Sequence, residues 1–113
     1  MSYECFELTI TDRIAHLRLN RPEKANSMVP SFWTDLPAAV NALSRDASAR
    51  VLVISAEGKH FSSGMDISVF TDGGLDSPTG ANRHIEAEAF RHHCLALQEA
   101  FNCLEQARMP VLV

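Results

Sequence analysis

Apolar and polar residues alternate from Phe6 to Thr11 and again from Ile14 to Leu19, with Asp12-Arg13 between the two runs. A period of two marks a strand with one face against a core, and a two-residue break between two such runs predicts a hairpin. Asn20-Arg21-Pro22-Glu23-Lys24 ends the second strand, because proline has no N–H to give to a ladder. The period then changes. From about Met28 to about Ser44, Phe32, Leu36, Val40 and Leu43 recur at helical spacing and predict a helix with these residues on its core face. Asn26 or Ser27 is placed to cap it, and Pro30 falls in the first turn, where a missing N–H is harmless. Pro37 sits inside the pattern, removes the bond to the Trp33 carbonyl, and predicts a kink or a break.

Val51-Leu52-Val53-Ile54 is a continuous apolar run, the pattern of a strand covered on both faces. A loop with two glycines follows, from Ser55 to Ile67. Asp72 to Asn82, rich in Gly, Asp, Ser and Pro, has little apolar side chain to bury and is expected to be poorly ordered without ligand. Phe90, Cys94, Leu97, Phe101 and Leu104 then form one apolar stripe on a helix from about Arg83 to Gln106. Met109-Pro110-Val111-Leu112-Val113 begins another buried strand. Strand, crossover helix and second apolar strand make a βαβ unit, so the fold class is α/β. A buried strand that stops at Val113 is expected to continue in a longer chain, since its backbone groups need partners.

Composition narrows the function. The chain has 113 residues, 46% apolar and 21% charged, which suits one globular domain. A net charge of −4 argues against nucleic acid as a partner, because phosphate backbones reward a clustered basic face. No apolar run reaches bilayer length, so no membrane partner is expected. The N-terminus carries no leader pattern, which makes the cytosol the default compartment. Cys5, Cys94 and Cys103 contain no C-x-x-C pair and are read as free thiols. A metal site is rejected. His92, His93 and Cys94 are consecutive, point about 100° apart on a helix and cannot converge on one ion.

Two segments are more specific than their composition. One is His16-Leu17-Arg18-Leu19-Asn20-Arg21-Pro22-Glu23-Lys24-Ala25-Asn26-Ser27-Met28, and the other is Gly58-Lys59-His60-Phe61-Ser62-Ser63-Gly64-Met65-Asp66-Ile67. Strand, L-N-R-P-x-K-x-N, helix, apolar strand and G-K-x-F-x-x-G-x-D, in that order, resemble the enoyl-CoA hydratase/isomerase (crotonase) family over essentially the whole chain. Phe32-Trp33, Ser44-Arg45-Asp46-Ala47 and Gln98-Glu99-Ala100-Phe101-Asn102 look most like the dienoyl-CoA isomerases within it. The resemblance implies a crotonase-like (ββα)n superhelix of which residues 1–113 are the N-terminal part, the C-terminal half being absent. It also implies a homo-trimer or hexamer when full length.

The chemistry of the second motif stands without the family. A thioester enolate carries negative charge on its carbonyl oxygen, and backbone N–H groups held away from water stabilise it. Gly64 permits a main-chain conformation and a closeness that a Cβ would forbid. Read alone, Ser62-Ser63-Gly64 is only a tight turn. With the resemblance, the Met65 N–H becomes the oxyanion donor, and methionine, where the family has a small residue, narrows the acyl pocket. Asp66 is expected to cap the following turn rather than act as an acid or base. Coenzyme A, present as part of the substrate and not as a separate cofactor, needs local positive charge. Arg21, Lys24, Lys59 and His60 lie in the two loops after apolar strands. By resemblance, Lys59, Ser63, Met65, Asp66 and Ile67 line the coenzyme groove, and Lys24 and Ala25 contact it from the preceding loop. The implied activity is hydration or double-bond isomerisation of an enoyl- or dienoyl-CoA, with catalytic carboxylates beyond Val113 and this chain alone inactive. The alternative is a non-catalytic acyl-CoA-binding or assembly paralogue.

Overall fold

A computed structural model describes residues 3–67 and 82–113. Strands β1 (Phe6–Thr11) and β2 (Ile14–Leu19) form the hairpin at the predicted boundaries, antiparallel, with Thr11 opposite Ile14. Asp12 and Arg13 both take positive φ, 53° and 67°, the type I′ geometry whose twist matches that of the strands it joins. Helix α1 (Phe32–Asp46) crosses over to β3 (Val51–Ala56), which lies parallel to β2 with Leu17 beside Ile54. Helix α2 (Arg83–Gln106) then leads to β4 (Val111–Leu112), parallel to β3. The sheet order is β1-β2-β3-β4, and the βαβ unit read from the periodicity is present.

One face of the sheet carries the core. Phe6, Leu17 and Leu52 are fully buried against Val40, Leu36 and Phe32 of α1. Removing each such side chain from water contributes roughly 1.5–3 kcal/mol. Phe6 meets the edge of Phe32 with ring centroids 6.5 Å apart, and Phe32 meets Trp33 at 5.5 Å, so these two aromatics are core residues as expected.

Five expectations need correction. Helix α1 begins at Phe32 with Ser31 before it; Asn26 and Ser27 are buried and bonded elsewhere, and Pro30 precedes the helix. Of the kink or break expected at Pro37, the break does not occur: the helix runs on through it, with Leu36, Ala39 and Val40 packed in the core. Strand β3 extends two residues further than its apolar run and is buried only on alternate residues, Leu52 and Ile54. The fully buried residues of α2 are Ala100 and Cys103, short side chains at the closest approach to the core, while Phe101 in the expected stripe is 45% exposed. Met109 is buried, yet Leu112 is 58% exposed on the edge strand β4. The segment Asp72 to Asn82 lies, apart from Asn82, outside the described residues.

Candidate functional site

The two motifs belong together because their loops are knitted into one unit. After β2, Pro22–Lys24 forms a single 3-10 turn that ends on Ala25 and Asn26, both left-handed at φ 52° and 54°. That reversal turns the Asn26 side chain inward. Its Oδ1 accepts from the Arg21 N–H at 2.9 Å, and its Nδ2 donates to the carbonyls of Glu57 at 2.8 Å and His60 at 2.9 Å. Asn26 is 3% exposed, so each of these bonds replaces one that water would make. The second loop answers with Ser62, whose Oγ donates to the Asn26 carbonyl at 2.9 Å and accepts from the Gly64 N–H at 3.1 Å. The Ser63 N–H donates to the Ala25 carbonyl at 3.0 Å.

Met28 and Met65 then pair as a parallel bridge. The Met28 N–H donates to the Gly64 carbonyl and the Asp66 N–H to the Met28 carbonyl, both at 2.8 Å. In a parallel pairing the partner of residue 28 is bonded through its two neighbours, so the N–H of Met65 itself is directed away from the Met28 segment. Gly64 has φ +96°, which accounts for the glycine; among the described residues nothing lies within 4 Å of a Cβ added there. A close approach within the chain occurs at Gly58, where φ is +89° and a Cβ would sit 2.7 Å from Cβ of Pro22.

Lys24, Ser63, Met65, Asp66 and Ile67 line one open cleft of about 360 Å³, together with Ser27. Ala25 supplies the carbonyl that holds Ser63. Lys59 is exposed and does not line this cleft. Arg21 is committed internally: its guanidinium donates to the Ser27 carbonyl at 2.7 Å and lies 4.0 Å from the Asp66 carboxylate. It is therefore not a free cation for a phosphate, as the loop position had suggested. The Asp66 carboxylate, expected to cap the following turn, accepts from Ser27 Oγ at 2.7 Å and so ties the two loops. On its other side Met65 lines a second cleft of about 400 Å³ with Gly64, Met28, Trp33, Leu97 and Phe101. Met65 thus stands where a polar groove meets an apolar one. Asn26 and Gly58 were missed as site-building residues. Their positions inside the two quoted motifs were the available signal.

The sequence model described as enoyl-CoA hydratase/isomerase matches residues 9–101. The mitochondrial Delta(3,5)-Delta(2,4)-dienoyl-CoA isomerase of Homo sapiens is 35% identical over 98% of this chain and 34% of its own length. The peroxisomal protein of the same name from Arabidopsis thaliana is 30% identical over 98% of this chain and 41% of its own. Among solved structures, an enoyl-CoA hydratase/isomerase from Marinobacter aquaeolei superposes with a TM-score of 0.79 over 96% of this chain and 40% of that one, at 19% identity, which is a likeness of fold. The chain therefore spans about a third to two fifths of the length of the curated relatives it matches.

Proposed function

The chain belongs to the enoyl-CoA hydratase/isomerase family, and from that premise we propose that it binds an acyl-coenzyme A with the thioester carbonyl at the Met65 N–H. One observation carries the reading: Met65 is shared by the cleft of Lys24, Ser63 and Asp66 and by the cleft of Trp33, Leu97 and Phe101. A thioester joins a charged, hydrated coenzyme to an apolar chain, and its carbonyl lies at that junction. A backbone donor held there favours the enolate over the ground state, which is how such a site lowers a barrier to proton transfer. Lys24 serves the phosphates, and Ser63 and Ile67 the rest of the coenzyme. The reaction class is hydration or double-bond isomerisation of an enoyl- or dienoyl-CoA, and the likeness to dienoyl-CoA isomerases favours isomerisation. Assembly as a homo-trimer or hexamer and residence in the cytosol belong to the same proposal, the latter supported by Cys5, Cys94 and Cys103 being free thiols.

The second reading, binding without turnover, shares these clefts, in which the Asp66 carboxylate is bonded to Ser27; it differs in the carboxylates that the family resemblance implies beyond Val113. Calorimetry with coenzyme A tests the shared part of both readings. Binding is expected, and Lys24→Ala should weaken it about two- to fivefold, as befits one exposed charge pair. No heat at about 1 mM ligand, an affinity weaker than about −4 kcal/mol, would remove both. Ultraviolet assay of a dienoyl-CoA with the full-length protein then separates turnover from binding.

A further inference from the structure

Two peptide groups stand head to tail behind the Met65 N–H. The peptide bonds described are trans, so within each peptide plane the C=O and the N–H point in opposite directions. The Gly64 carbonyl accepts from the Met28 N–H at 2.8 Å. The Met65 N–H, in the same plane, therefore points the other way, toward the position proposed for the thioester oxygen. The Met28 N–H in turn shares its peptide with the Ser27 carbonyl, which accepts from Arg21 Nη1 at 2.7 Å. A guanidinium, the Ser27–Met28 peptide and the Gly64–Met65 peptide thus form one aligned chain of hydrogen bonds. Each bond in such a chain polarises the next and strengthens it by about 10–30%. A charged donor at the head makes the first bond about twice as strong as a neutral one. Only 17% of the Arg21 side chain is exposed, so its charge is weakly screened.

The alignment is held from both sides of Met65. Gly64, at φ +96°, would by itself leave its peptide free to swing. Beyond Met65, the Asp66 N–H donates to the Met28 carbonyl at 2.8 Å, and the Asp66 carboxylate accepts from Ser27 Oγ at 2.7 Å. That carboxylate also lies 4.0 Å from the guanidinium, so the Ser27 carbonyl is the shorter of these two Arg21 contacts. We propose that Arg21 is a positioning residue of the oxyanion site, aiming the Met65 N–H and strengthening it as a donor through these two peptides. The inference rests on the Met65 reading above and adds what sets that donor's direction and strength. Arg21 does not line the cleft of Lys24 and Ser63, so its effect falls on the carbonyl and not on the coenzyme.

The test follows isotope-labelled methionine amides of the full-length protein by NMR as a 3-ketoacyl-CoA binds, together with the ultraviolet absorbance of the bound enolate. The Met65 and Met28 amide protons should both move downfield, Met28 by less, because a bond strengthened at one end strengthens the next. Arg21→Gln keeps a donor for the Ser27 carbonyl and loses the charge. It should lower the bound enolate about three- to tenfold, more than one exposed charge pair is worth and less than the loss of a whole oxyanion donor, at unchanged coenzyme A affinity. Arg21→Lys should restore most of the enolate. If the variants fail to fold, the amide shifts of the unsubstituted protein decide alone. A Met65 shift with Met28 unmoved, an unchanged enolate in Arg21→Gln, or an enolate loss matched by an equal loss of coenzyme A affinity would overturn the relay and leave the Met65 donor standing. A bound ligand that moves neither amide and stays in its keto form would overturn both.

Discussion

Pro22 and Gly58 touch so closely that a Cβ on residue 58 would lie 2.7 Å from Cβ of Pro22. This contact seats the loop after β3 on the loop after β2, and both loops contribute walls to the polar cleft. Gly58→Ala must therefore move proline ring or backbone as well as hold alanine at φ +89°. A loss of about 1–3 kcal/mol is expected from the backbone strain alone, read as a lowered urea midpoint at unchanged slope. A midpoint within error of the parent would show that the loops shift apart freely.

Asn26 is the other fastening, and its removal should cost more. Asn26→Ala leaves the Arg21 N–H and the carbonyls of Glu57 and His60 without their partner. Buried groups stranded in this way cost about 1–3 kcal/mol each where water does not replace the bond. Equilibrium denaturation is expected to show a loss of at least about 2 kcal/mol, together with weaker coenzyme A binding. Full stability with weakened binding would instead make Asn26 a ligand contact.

Gly64 separates conformation from function. Among the described residues nothing lies within 4 Å of an added Cβ, so a side chain at position 64, as in Gly64→Val, is opposed first by torsional strain at φ +96°. The strain is relieved by turning the peptide that carries the Met65 N–H. The melting temperature should fall modestly, and the enolate fraction of a bound 3-ketoacyl-CoA, seen in its ultraviolet absorbance, should collapse. If Met65 is the oxyanion donor, that loss corresponds to about 3–4 kcal/mol. A variant that melts earlier yet keeps the bound enolate would leave Gly64 as a turn residue only.

Cys103 makes stability depend on pH. Burial raises its thiol above the ordinary value of 9.0, and the nearby Glu99 carboxylate raises it further. The folded state thus disfavours the thiolate. Stability is fully present below the unfolded thiol's pKa and is lost as pH climbs through that value toward the folded one. Melting temperature should accordingly decline above about pH 9, and Cys103→Ala should flatten that decline. Alkylation at neutral pH should reach the half-buried Cys94 before the buried Cys103. The reverse order would contradict the burial.

Local pattern was enough for the hairpin and the last helix. The alternation in Phe6–Thr11 and Ile14–Leu19, and the span Arg83–Gln106, match the structure residue for residue, because a period of two or of 3.6 is a property of the backbone itself. The same local logic misplaced the start of α1. Asn26 has the chemistry of a helix cap, and nothing within a few residues of it reveals that Glu57 and His60 compete for its amide.

The site divides in the same way. Lys24, Ser63, Met65, Asp66 and Ile67 were assigned by family resemblance, and the structure brings them to one cleft. Only the tertiary structure withdrew Arg21 from the free cations, by setting Asp66 and the Ser27 carbonyl against it, and left Lys59 outside the cleft. It also decided which glycine is crowded. A sequence specifies where the chain turns, since φ preferences are local. What stands 2.7 Å from the turn is settled by a residue thirty-six positions away, Pro22 against Gly58, through packing that no local pattern encodes.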